Sequence, residues 1–288
     1  MRAAFTLIEI IFVLVVLGII AAIGSEVLVK IYENYFLTRS TTGASYKLDV
    51  AALQISRLLS HRVRGSEVVR DGGDNLATMA AAGTQYIQME WVAKAYEARR
   101  GMWDSRKNYL QPGWSGLADL LRSTKSTLVT PGSKLSIANE IIKNVYSIDM
   151  TADNSCAVVF YNTYQNSPLE AFGWDGSIPN AAYSVTMSSD TTFSFSDTNP
   201  KTISDIYDLA CTAYAIRWHN GDLILFYDYQ PWRGETYHNA RSEIIIEDVT
   251  AFMVRKRDID GAIQFRICVR ENSPDNTEIE LCTRKVVF

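Results

Sequence analysis

Two hydrophobic patterns follow one another in the first 60 residues. From Phe5 to Ile23 the chain is apolar on every side, and Thr6 and Glu9 are the two interruptions in 19 residues. About 20 such residues span the hydrocarbon core of a bilayer. Past Gly24 the pattern turns amphipathic. Val27, Ile31, Tyr35 and Phe36 are followed by Leu48, Ala51, Ala52, Ile55, Leu58 and Leu59 at i, i+3/i+4 spacing. One helix from Phe5 to about Val63 is predicted, roughly 85–90 Å long at 1.5 Å per residue. Its first half is long enough to cross a membrane, and its second half needs a sheet to cover its stripe. Gly65 and Asp71-Gly72-Gly73-Asp74-Asn75 stop it. The weakest point lies at residues 41–45, around Gly43, where a bend is expected.

The pattern then shortens. Residues 86–100 read as a strand running into a short helix, 110–116 as a loop, 117–121 as a helical turn, and 139–149 as a short helix or strand. From Cys156 onward the runs are rich in Val, Ile, Tyr and Phe: 157–164, 182–187, 212–218, 222–229, 243–257 and a final pair at 263–270 and 278–284. His219-Asn220-Gly221 between two of these runs is a hairpin signal. The predicted class is α+β: a long N-terminal helix, membrane-spanning in its first half, packed on a β-rich head with an antiparallel sheet.

Glu9 changes the picture. An ionised carboxylate among aliphatic side chains costs roughly 2.5–3.5 kcal/mol at mid-helix on insertion scales. A segment that serves as an anchor alone has no use for it, and neither does a cleaved secretory signal. Two readings stand: the carboxylate reaches the headgroups from the start of the helix, or it meets a counter-charge on another chain.

Ala4-Phe5-Thr6-Leu7-Ile8-Glu9 followed by a long apolar helix resembles the type IV prepilin signature, shared by type IV pilins and pseudopilins. The resemblance covers residues 3–24. It implies that a prepilin peptidase cuts between Ala4 and Phe5, that the new amine of Phe5 is methylated, and that Glu9 pairs with that amine on a neighbouring subunit. A buried charge is tolerated when its counter-charge is supplied. The chain departs from the family in having Ala4 where Gly is usual and in its short leader. The implied organisation is leader 1–4, transmembrane helix 5–25, periplasmic half of the helix 26–64 and a periplasmic α+β head 65–288. The implied partners are other pilins or pseudopilins in a filament and an inner-membrane assembly platform. The large head is most similar to a minor pseudopilin of the type II secretion J class. The alternative is a DNA-uptake minor pilin, or an adhesive tip subunit that binds a ligand through its head.

Four cysteines, Cys156, Cys211, Cys268 and Cys282, lie in the C-terminal half with no CxxC among them. An even count beyond a membrane anchor points to disulfides in an oxidising compartment. A hairpin centred on Asp275 puts Cys268 opposite Cys282, Val269 opposite Leu281 and Arg270 opposite Glu280, within reach of a cross-link. Cys156–Cys211 then follows by elimination, the alternative being buried thiols.

Composition and motifs exclude more than they select. The net charge is −4, so no global basic field draws nucleic acid. His61, His219 and His238 lack metal-ligand spacing. Gly113-Trp114-Ser115-Gly116 begins like a nucleophile elbow, but Leu117 stands where Gly is required. No phosphate-binding loop motif occurs. Neither a cofactor, a metal nor an enzymatic role is expected. The acidic turns at 71–75 and 258–261 lack EF-hand spacing and read as solvated turns, calcium binding being the alternative. Arg255-Lys256-Arg257 and the group Arg62, Arg64 and Arg70 read as solvated faces, contact with DNA phosphates being the alternative. The aromatics between Tyr207 and Trp232 read as sheet packing.

Overall fold

A computed structural model describes residues 7–83, 85–152, 154–161, 167–196, 202–257, 261–272 and 278–288. Helix α1 runs from Leu7 to Ser60 without a break. It contains no proline. Its Ser25 and Thr41 hydroxyls donate back to the carbonyls of Ala22 (2.8 Å) and Leu37 (2.9 Å), a pattern that keeps such residues inside a helix. The helix is not interrupted near Gly43. Ala44 and Leu48 are already packed into the head core, so burial of the stripe keeps the chain helical through that stretch.

The remaining elements alternate short strands with three small helices. They are β1 (Val68–Asp71), β2 (Leu76–Thr78), β3 (Tyr86–Lys94), α2 (Tyr96–Arg100), β4 (Met102–Asp104), β5 (Tyr109–Gln111), β6 (Thr127–Val129) and α3 (Leu135–Tyr146). There follow β7 (Ala157–Phe160), α4 (Pro168–Phe172), β8 (Ala182–Ser189), β9 (Thr192–Phe195), β10 (Tyr207–His219) and β11 (Asp222–Tyr229). The chain ends with β12 (Arg241–Ile246), β13 (Val249–Lys256), β14 (Ile263–Asn272) and β15 (Glu278–Val287). The α+β class holds, and the paired strands are antiparallel.

Strand β10 organises the head. One side pairs along β3, while the other is shared by β7 at its first half and β11 at its second. The ten-stranded sheet therefore branches there: β2-β1-β3-β10-β7-β8-β9-β6 on one path, β11 and β12 on the other. The turn from β10 to β11 has Asn220 at φ 53° and Gly221 at φ 91°, the left-handed pair that a two-residue hairpin of primed type requires. A separate three-stranded sheet, β13-β14-β15, closes the core over α1. Its inward residues Phe252, Val254, Phe265, Ile267 and Val269 pack with Leu48, Ala52, Ile55 and Leu59 of the helix.

Two expectations fail here. Residues 243–257 form two strands, because Asp248 adopts φ 59° and turns the chain from the large sheet to the small one. Residues 117–121 form no helix: Leu117 bridges to Ile206, and Asp119 closes a turn by accepting from Leu121 and Arg122.

Candidate functional site

The feature that stands apart from the packed head is the first part of α1. Every residue from Leu7 to Arg39 is exposed, about 50 Å of helix at 1.5 Å per residue. It is long and apolar enough to cross a membrane. A bilayer core accounts for about 20 residues. Beyond them the helix still exposes Val27, Leu28, Val29, Ile31, Tyr32, Tyr35, Phe36 and Leu37. Apolar surface therefore continues past the length that lipid can cover. Glu9 lies in the first turn of the described helix. Ala4 and Phe5, the expected cleavage and methylation positions, lie outside the described residues.

The head grips the other end of this helix through buried charge. Arg62 and Glu67 are both almost fully buried and paired at 2.7 Å. Arg62 also donates to the carbonyl oxygens of Leu59 (3.0 Å), Phe288 (3.2 Å) and Gly261 (3.4 Å). Glu67 accepts from the Gly65 amide at 3.0 Å and pairs with Lys256 at 3.3 Å. One knot thus ties the helix end, the loop after it, the β13–β14 region and the last residue of β15's extension. Strand alternation splits the basic run: Lys256 turns inward to this knot while Arg255 faces outward.

A second buried cluster lies across β1, β3 and β11. Glu90, fully buried, accepts from Arg70 Nε, from Gln88 Nε2 at 3.0 Å and from the Tyr229 hydroxyl at 2.8 Å. Burial holds the Tyr229 phenol well above its ordinary value, so it stays protonated and donates. At the rim, Asp74 accepts from Tyr237 at 2.7 Å and meets His238 at 3.3 Å. Asp71 is used by its own turn, accepting from the amides of Gly73 (2.8 Å) and Asn75 (2.9 Å). Both carboxylates of the first acidic turn therefore have internal donors. The turn at 258–261 falls largely outside the described residues.

His61 is half-buried and stacks on Tyr96 at 3.8 Å between ring centres. It borders a cleft of about 280 Å³ with Arg57, Lys94, Glu97, Tyr146 and Tyr214. Burial lowers the His61 pKa against a smaller opposing effect of Glu97. Burial, with the charges of Glu97 and Asp228 added, pushes the Tyr214 phenol up to about 12. The Tyr146 hydroxyl donates to Glu97 at 3.3 Å. The cleft is lined by the phenols of Tyr96, Tyr146 and Tyr214 and the His61 imidazole, all hydrogen-bonding groups. His219 and His238 are exposed. The Gly113–Gly116 loop is structural: Trp114 is buried and donates to the Ala95 carbonyl at 2.9 Å.

Two cystines staple the head. Cys156 bonds Cys211, linking the approach to β7 with the middle of β10. Cys268 bonds Cys282 across directly opposed positions of β14 and β15, with Val269 facing Leu281 and Arg270 facing Glu280. The turn at Asp275 lies outside the described residues. Of the aromatics between 207 and 232, Tyr207, Tyr229 and Trp232 are buried in the core, and Trp218 donates to the Val249 carbonyl at 3.0 Å.

Comparison with protein-family models, curated proteins and solved structures finds no match to the chain. The inward knot of Arg62 and Glu67 escaped the sequence reading, because residues five apart after a helix end carry no periodic signal. So did the convergence of Arg255, Arg266 and Arg284, which is a property of strand register.

Proposed function

We propose that the chain is a minor pilin-like subunit, a pseudopilin, that assembles through its N-terminal helix into a filament rooted in the inner membrane. Its head stands on the periplasmic side, and it uses no catalytic group of its own. The observation that carries this reading is the exposed apolar helix. About 50 Å of it projects from the head. Its apolar surface runs past the roughly 20 residues a bilayer core takes. A helix apolar on all sides is a buried helix, and what lipid leaves uncovered is available to like helices of neighbouring subunits. Glu9 then fixes axial register by pairing with the methylated Phe5 amine of the next subunit, each charge compensating the other in a medium of low dielectric. The two cystines suit an oxidising compartment.

N-terminal sequencing of the native protein tests the reading first, and the mature chain should begin at methylated Phe5. Glu9→Leu should insert into the membrane at the wild-type level and lose cross-linking to partner subunits. A first residue at Met1, a cut near Gly24, or full cross-linking of Glu9→Leu would overturn it.

A further inference from the structure

Four arginines lie on the outward face of the small sheet, and the fold treats them unequally. Arg270 at one end has its own acid, Glu278, at 3.3 Å, and faces Glu280 across the ladder. Of the other three, Arg255 and Arg266 have neutral partners. Arg255 Nε donates to Gln264 at 2.8 Å, and Arg266 Nη2 reaches the Cys282 sulfur at 3.1 Å. Among the described residues, no carboxylate lies within ion-pair distance of Arg255, Arg266 or Arg284. Arg266 and Arg284 are directly opposed in register, and Arg255 lies on β13 two residues along from Met253, which faces Arg266. Directly opposed like charges destabilise a sheet. All three line one concavity of about 280 Å³, walled by Met253, Ala82 and Gly83.

We propose that this concavity is an oxyanion site that takes the carboxylates of an acidic segment on a partner protein. Guanidinium groups present paired donors that match carboxylate and phosphate oxygens. Position and size select among sources of such oxygens. The small sheet covers α1 from Ala44 onward, 20 residues past Gly24, so the site stands about 30 Å beyond the apolar segment. That is some three Debye lengths at 0.1 M salt, beyond the reach of lipid headgroups. A nucleic-acid strand needs a continuing basic track, and this one stops at Glu278 and Glu280. The net charge of −4 adds long-range repulsion of a polyphosphate. A space of this volume with an apolar wall suits one or two carboxylates next to an apolar side chain. The site faces away from α1, so its loss leaves helix-driven assembly intact, and the two readings fail separately.

The test uses the full-length protein in detergent micelles. The probes are a labelled Glu-Leu-Glu-Glu-Leu peptide, its Gln isostere, inorganic phosphate and a duplex DNA oligonucleotide, each at low and high salt. The acidic peptide should bind, and the isostere at least about tenfold more weakly. Arg266→Gln and Arg284→Gln should each weaken it about tenfold or more, as expected for a lost charge-assisted hydrogen bond. Arg270→Gln should change it less than about twofold. Thermal unfolding of the free protein guards against misfolding: Arg266→Gln relieves repulsion and should leave Tm equal or higher. Equal binding of the isostere, no loss in the Arg266/Arg284 double variant, or an equal loss in Arg270→Gln would overturn the proposal. So would binding of phosphate without the peptide, or preferential binding of DNA through the same arginines.

Discussion

The knot at the top of α1 gives the sharpest test of how the helix is held. Removing one partner of a buried ion pair strands the other charge, at a cost of about 3–5 kcal/mol. In this knot the cost belongs near the lower bound. After Glu67→Gln, Arg62 still has three carbonyl acceptors, at 3.0, 3.2 and 3.4 Å. After Arg62→Met, Glu67 keeps Lys256 at 3.3 Å and the Gly65 amide at 3.0 Å. Each single variant should therefore lose about 3 kcal/mol. The double variant Arg62→Met/Glu67→Gln removes both charges. It gives up the bonds of Arg62 to main-chain oxygens, worth about 1 kcal/mol each when net, and the partly exposed pairing of Glu67 with Lys256, but strands no fully buried charge. Its loss should fall about 2 kcal/mol or more short of the sum of the singles, as coupled neighbours do. Guanidinium unfolding of the full chain in micelles, followed by tryptophan fluorescence, measures all four corners of the cycle. Trp91 and Trp174 are buried within the head and report its opening. Additive singles, or a single-variant cost under about 1 kcal/mol, would refute the assignment of the knot as a charge-compensated anchor.

The two faces of the helix should separate stability from assembly. Ile55→Ala, 1% exposed, should cost about 2–5 kcal/mol of head stability. Leu53→Ala, 69% exposed, should cost less than about 0.5 kcal/mol yet reduce cross-linking to neighbouring subunits. Equal stability losses would contradict the burial pattern. His61 supplies a pH signature. Burial lowers its folded pKa below the ordinary 6.5, so the unfolded chain binds the extra proton first. Stability contributed by the neutral imidazole is present above pH 6.5 and declines as pH falls below it, levelling off under the folded pKa. His61→Phe should flatten the Tm profile in that window, and an unchanged profile would show that His61 titrates normally.

Much of the fold was legible because its signals are local and strong. An unbroken apolar run, an i, i+3/i+4 stripe and an Asn-Gly turn each need a handful of neighbouring residues. The Cys268–Cys282 register followed from symmetry about a single turn. The short strands β1, β2, β6 and β9 were illegible because three or four residues carry no period; β6, with three residues, is held by its partner β9 and by the Leu128 side chain in the core. The break between β12 and β13 was missed because Glu247 and Asp248 interrupt a β-rich run without Gly or Pro. Asp248 supplies the left-handed backbone itself, as Asp tolerates. The continuity of α1 through Gly43 was missed for the opposite reason. Propensity argued for a weak point there, and burial of Ala44 and Leu48 outweighed it.

The two ends of α1 solve opposite problems. At Arg62 the head provides a counter-charge, three carbonyls and a dry enclosure, so the charge there is settled within one chain. Between Leu7 and Arg39 every residue is exposed, although that stretch is among the most apolar in the molecule. A folded chain that buries Glu67 and Glu90 with full complements of donors treats carboxylates with care. In the assembly proposed, the Glu9 carboxylate of one subunit pairs with the Phe5 amine of the next. The apolar surplus from Val27 to Leu37 makes the same demand by a different force, since it lies beyond the depth that lipid covers. In the proposed filament, neighbouring helices supply both the counter-charge and the cover for this apolar area.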